Sequence, residues 1–183
     1  MRGYLQSEMN ISEEVYQILQ ENSRKKELGK NKLLFQPPSS ARKILFLETG
    51  LMRGYKIADG KDYTHHFFTP NWFATDFESF LTSSPGSLFI ESLTPVSYLE
   101  IDKEVLYRLY EEHHQLEKLG REIAEIAYLI TVEKVSDLQM LNLKERYKSL
   151  IRKNPQLFIN VPQKYIASYL GVSEQSLSRI KGK

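Results

Sequence analysis

The sequence predicts an α+β protein in which an antiparallel β-roll of the jelly-roll kind precedes a long helix and a small all-α module. Three observations predict it. Residues 31 to 101 alternate with period two between frequent turn signals, and the residues after Asp102 change to a helical period. The chain then closes on YIASYLGVSEQSLSRI, two apolar-striped segments on either side of a glycine.

The first element is a helix over ISEEVYQILQEN, where Ser12 can cap and Ile11, Val15, Ile18 and Leu19 share a face. The strands come next. KLLF, KILFLETG, LMRGYKI, YTHHFF, SLFIES and SYLEI are rich in aromatic and β-branched residues, and PPSS, ADGK, TPN, SSPG and LTP separate them. Asp59-Gly60 is the clearest hairpin turn, because both residue types tolerate positive φ. Short strands at this frequency imply a roll rather than βαβ units.

From Asp102 onward, Leu116, Leu119, Ile123, Ile126 and Ile130 recur at 3-4-3-4 spacing, with Gly120, Ala124 and Ala127 beside them. Such a seam needs a partner, either the chain's own β domain or a second copy. Its two-heptad regularity favours the copy, so these five are the expected dimer interface. A second helix is expected over Leu138 to Lys153, broken at Asn154-Pro155.

In the closing stretch, Ile166 and Leu170 are four apart and Leu177 and Ile180 three apart, so two stripes can pack across a tight turn. Gly171 supplies the left-handed residue at that turn, Ala167 leaves room for the crossing helix, and Ser173 can cap the second segment. That is a helix-turn-helix. Pointing Leu177 and Ile180 inward turns Gln175, Ser178, Arg179 and Gly182 outward, flanked by Glu174 and Ser176. Arg and Gln can grip guanine and adenine edges in a major groove, while Gln163, Lys164 and Lys181 are placed for phosphates. Charge agrees: Lys144 to Lys183 holds nine Lys or Arg against Glu145 and Glu174, a net +7, whereas the remainder holds 16 basic and 21 acidic residues, a net −5. Double-stranded DNA is the expected partner.

With 183 residues the chain can bury a sizeable core and fits two unequal domains. No apolar run approaches the roughly 18 residues of a membrane span, and MRGYLQSEMN lacks the regions of a secretory signal, so a cytoplasmic location without membrane contact is expected. There is no cysteine, which removes disulfides, thiolate zinc sites and cysteine-ligated iron–sulfur clusters. No cofactor, metal or catalytic residue is expected, since Ser-His-Asp order, P-loop and GxGxxG are all missing. His65 and His66 beside Glu78 suggest a cupin-like metal site, but strand neighbours point to opposite faces.

The β-roll, the long helix and VPQKYIASYLGVSEQSLSRI together resemble the Crp/Fnr family of bacterial transcription regulators over nearly the whole chain. GLMRGYKIADGK also resembles the strand-turn-strand after the family's G-L-V-R stretch. The resemblance implies a cyclic-nucleotide-binding-like sensory β-roll at 1–101, a dimerisation helix at 102–137 and a DNA-binding helix-turn-helix domain at 138–183. It further implies a homodimer that reads a near-palindromic operator and meets RNA polymerase. Arg53, Trp72, Phe73, Asp76, Phe77 and Ser87 are the effector-pocket candidates. In the family's nucleotide-binding branch an Arg-Ser/Thr-Ala element ends the phosphate cassette, whereas here Gly86 stands at the arginine position and Leu88 at the alanine. No Lys or Arg occurs from Asp62 to Asp102, so cyclic AMP is not expected to bind. The DNA-binding candidates are Gln163, Lys164, Ser173, Glu174, Gln175, Ser176, Ser178, Arg179 and Lys181. Where a well-known branch places arginine then glutamate, this chain has Glu174 and Gln175, so its operator should differ. The alternative is a β-roll that binds a small molecule or protein, its aromatic residues lining a pocket and its C-terminal helices only packing.

Overall fold

The computed structural model describes residues 2–181. Two short helices lead in, α1 (Arg2–Ser7) and α2 (Glu13–Glu21), and the Ser12 hydroxyl caps α2 by accepting from the Val15 N–H. Among the described residues eight strands come after them: β1 (Arg24–Leu28), β2 (Leu33–Phe35), β3 (Lys43–Thr49), β4 (Met52–Ala58), β5 (Lys61–Phe68), β6 (Trp72–Ala74), β7 (Phe89–Ser92) and β8 (Val96–Asp102). A short helix, α3 (Phe77–Thr82), joins β6 to β7. The strands form two sheets, ordered β1-β8-β3-β6 and β2-β7-β4-β5. β8 is antiparallel to both its neighbours, β1 and β3. Between β4 and β5, Asp59 and Gly60 take φ of 50° and 70°, as a twist-matched two-residue hairpin requires.

The remaining helices are α4 (Lys103–Glu112), α5 (His114–Met140), α6 (Leu143–Lys153), α7 (Pro155–Asn160), α8 (Gln163–Tyr169) and α9 (Glu174–Lys181). His113, with extended backbone, divides α4 from α5. Pro155 ends one helix and begins another: it occupies the first turn of α7, where its missing N–H costs nothing.

The chain forms two compact units. One comprises the chain up to Gly54 with Phe67–Ala124; the other comprises Tyr55–His66 with the chain from Glu125 onward. In the first, Leu45, Leu47, Met52, Ile90 and Tyr98 fill the space between the sheets. Strand alternation turns Ile44, Phe46, Leu99 and Ile101 to the other face of the first sheet. There they meet Leu19, Leu106 and the start of α5 around an apolar cavity of about 50 Å³.

That packing involves three residues of the expected dimer interface. Leu116, Leu119 and Ile123 line this cavity at 0%, 5% and 7% exposure, so their own protomer already covers them. Ile126 is half-buried and Ile130 is exposed. At about 100° per residue the opposite face of α5 carries Tyr128, Val132 and Val135. All three are exposed.

Candidate nucleic-acid interface

The C-terminal helices have a small core of Leu150, Leu157, Val161, Ile166, Ala167, Leu170 and Leu177, all buried. Asn142 and Glu145 close a reciprocal capping box at the start of α6. Tyr147 and Phe158 pack edge to face at 5.2 Å. Arg146 joins two helix ends, donating to the Leu170 carbonyl at 3.3 Å and the Leu138 carbonyl at 3.4 Å.

The turn between α8 and α9 is dictated by its sequence. Gly171 has φ of 70°. Its N–H donates to the Ser168 carbonyl and the Val172 N–H to the Ala167 carbonyl, the paired bonds of a Schellman motif. Ser173 then caps α9: its hydroxyl accepts from the Ser176 N–H at 3.2 Å and lies 2.9 Å from the Ser176 hydroxyl. With Leu177 buried beneath, α9 exposes Glu174, Gln175, Ser178 and Arg179. Ser176 is half-buried and partnered by Ser173, which is itself exposed. Gln163 is half-buried, and Lys164 is exposed with its ammonium 4.9 Å from the centre of the Tyr165 ring. Lys181 closes α9, but its side chain and Gly182 lie outside the described residues. Lys144, Lys148 and Arg152 are also exposed, whereas Lys153 pairs with Glu133 at 2.5 Å.

Sequence reasoning missed a second set of residues against this module. The Thr64 N–H on β5 donates to the Ser168 hydroxyl at 2.8 Å, and that hydroxyl donates to the Asp62 carbonyl at 3.3 Å. The Lys134 ammonium donates to the His65 carbonyl at 2.7 Å and sits 4.4 Å from the centre of the Tyr169 ring. Burial lowers the Lys134 pKa to about 8. Burial, then Asp137 and Glu133, raises that of Tyr169. Thr64 and Ser168 are 104 residues apart, and no local pattern marks such a pair.

Of the effector-pocket candidates, Asp76 and Ser87 are in direct contact. Asp76, 5% exposed, spends its carboxylate within the chain, accepting from Ser87 N–H and Leu88 N–H at 3.0 Å each and from Ser79 N–H at 3.4 Å. Arg53, 1% exposed, pairs with Glu91 of β7 at 3.1 Å. Phe73 stacks edge-on against Phe46 and lines the apolar cavity; Trp72 and Phe77 are half-buried and Ser87 is exposed. His65 is exposed and His66 half-buried, and their rings lie in edge contact at 4.6 Å. Among the described residues no helix is long and apolar enough to cross a membrane.

No protein-family model matches the chain, and no curated protein matches it. Solved structures do. CLP of Xanthomonas campestris, a c-di-GMP-responsive global regulator linking cell–cell signalling to virulence gene expression, is similar at 16% identity. The match covers 93% of this chain and 90% of that one, with a TM-score of 0.73. FixK2 of Bradyrhizobium japonicum is similar at 15% identity over 87% of this chain and 83% of that one, with a TM-score of 0.76. The catabolite activator protein of Thermus thermophilus is similar at 14% identity over 98% and 85%, with a TM-score of 0.62. The chain therefore has the Crp/Fnr-like fold, a cyclic-nucleotide-binding-like β-roll followed by a helical C-terminal part.

Proposed function

We propose that the chain is a homodimeric, sequence-specific DNA-binding transcription regulator, without catalytic activity, whose α9 reads base edges in the major groove. The observation that carries this is the exposed row Gln175, Ser178 and Arg179 on a helix held from behind by Leu177 and fixed at its start by Gly171 and Ser173. Three polar side chains on a braced helix can match a fixed pattern of donors and acceptors; Lys164 and Lys181 position the module on the backbone.

Selecting bound DNA from a random pool tests the reading. Purified protein is expected to enrich one sequence, and Arg179→Ala to weaken binding to it by roughly 1–3 kcal/mol while relaxing choice at one base pair. An equal loss on every sequence would make Arg179 a phosphate contact instead.

The β-roll of this regulator takes no cyclic AMP. A cyclic phosphate needs a cation or a cluster of free N–H donors, but the Ser87 and Leu88 N–H groups already serve Asp76 and Arg53 is paired to Glu91. Calorimetric titration with cyclic AMP is expected to give no binding heat, and micromolar binding would refute this.

A further inference from the structure

We propose that the apolar cavity behind the first sheet is a binding site for a small neutral molecule with a hydrocarbon body and one hydrogen-bond acceptor, of which a short aliphatic alcohol is the simplest case. The sheet forms its floor, and α2, α4 and the start of α5 close it with Leu19, Leu106 and Leu116. Two polar side chains stand on the wall, Ser23 and Tyr110. The Ser23 hydroxyl is spent, donating to the Leu19 carbonyl at 2.6 Å. The Tyr110 hydroxyl forms no hydrogen bond among the described residues. It lies against the stretch of α5 that walls the cavity, because a Cβ at Gly120 would stand 2.4 Å from its oxygen. Burial first, then Tyr107 and Glu117, push its pKa up to about 12, so it keeps its proton at neutral pH and stays a donor.

Size and polarity select the occupant. At about 50 Å³ the cavity exceeds the ~10–15 Å³ that one water needs, but a buried water also needs roughly two to four polar partners, and one free donor is too few. A molecule that gains on entering lays hydrocarbon on the walls and offers one acceptor to Tyr110. An engineered cavity of about 150 Å³ with walls of this kind stays dry and takes benzene or xenon. A third of that volume suits about two or three non-hydrogen atoms, which holds the affinity to about millimolar at best. A bound molecule favours the arrangements in which α5 stays seated on the sheet.

Xenon and ethanol are the probes, and methyl NMR of the full chain is the readout. Both are expected to shift the methyl signals of Leu116, Leu119 and Ile123 saturably at millimolar concentration, each displacing the other, while the exposed Leu129 and Val132 show only a linear drift. Tyr110→Phe is expected to keep xenon binding and to weaken ethanol binding several-fold. Leu119→Phe, which fills the space, should lose both. Shifts that stay linear at the buried methyls overturn the site. Ethanol binding that is unchanged in Tyr110→Phe overturns the assigned ligand class and leaves an apolar hole. Should Leu119→Phe fail to fold, the mutual displacement of the two probes in the wild type still decides whether they share one cavity.

Discussion

His66 is half-buried in a neighbourhood of positive charge, and its protonation state is set accordingly. Burial first, then His65, Lys134 and Lys56, push its pKa from 6.5 down to about 3. The folded chain therefore keeps a neutral imidazole across a range in which the unfolded chain takes up a proton. Between about pH 6.5 and pH 3 the unfolded state binds more protons, so the stability that His66 contributes is complete above pH 6.5 and is lost as the pH falls toward 3. Urea unfolding at pH 7 and at pH 5 measures this. The wild type is expected to lose about 1–2 kcal/mol more between the two than His66→Gln does. Equal losses would mean that the imidazole titrates as freely in the fold as in the coil. Little in the string THHF announces such a residue, because its pKa comes first from burial, then from His65, with Lys134 on a distant helix and Lys56 on the facing strand adding to them. Gly171 is the opposite case. Its left-handed backbone was legible, since a glycine between two apolar stripes has few other uses.

At the scale of elements, legibility followed how far each element depends on its own sequence. α8, the turn and α9 are specified by side chains within twenty residues of one another, and the structure has them where the spacing predicts. β1 was not foreseen: its sequence, RKKEL, carries none of the apolar alternation of a strand. It forms because β8 offers an antiparallel edge with acids in register: Arg24 lies opposite Glu100 and reaches both Glu100 at 3.3 Å and Asp102 at 2.6 Å. Lys25 reaches Glu48 at 3.0 Å. A strand of charges on a sheet edge is identified by its partner, not by itself. α5 lies between these cases. The 3-4 spacing of Leu116, Leu119 and Ile123 correctly marked an apolar face, but spacing cannot say what covers it, and the β-roll's outer sheet does. The shorter stripe of Tyr128, Val132 and Val135 drew no notice because Glu125 and Gln139 interrupt its continuation at either end.

For the whole molecule, that second stripe offers a surface on which the proposed homodimer can form. A helix with one apolar face against its own sheet and another in water has a surface left over for a partner, and Tyr128, Val132 and Val135 stand 67%, 40% and 47% exposed on it. In the homodimer proposed above, two α9 helices related by a twofold axis are expected to enter successive major grooves, with half-sites about 34 Å apart, roughly ten base pairs. Joining the modules also makes the second contact intramolecular, at an effective concentration that raises affinity by about 10²–10⁴ with no new bond to DNA. A charge in the stripe separates these effects from folding, because Val132 is exposed and its replacement buries nothing in the single chain. In Val132→Glu, sedimentation is expected to show a monomer where the wild type is a dimer, with the helical circular-dichroism signal retained. Affinity for the two-half-site DNA should fall by about 10²–10⁴, while affinity for an isolated half-site stays the same. A variant that remains dimeric would place the interface elsewhere. A monomer with undiminished affinity for the paired site would mean that one α9 suffices, and the twofold arrangement would no longer be needed to explain DNA recognition.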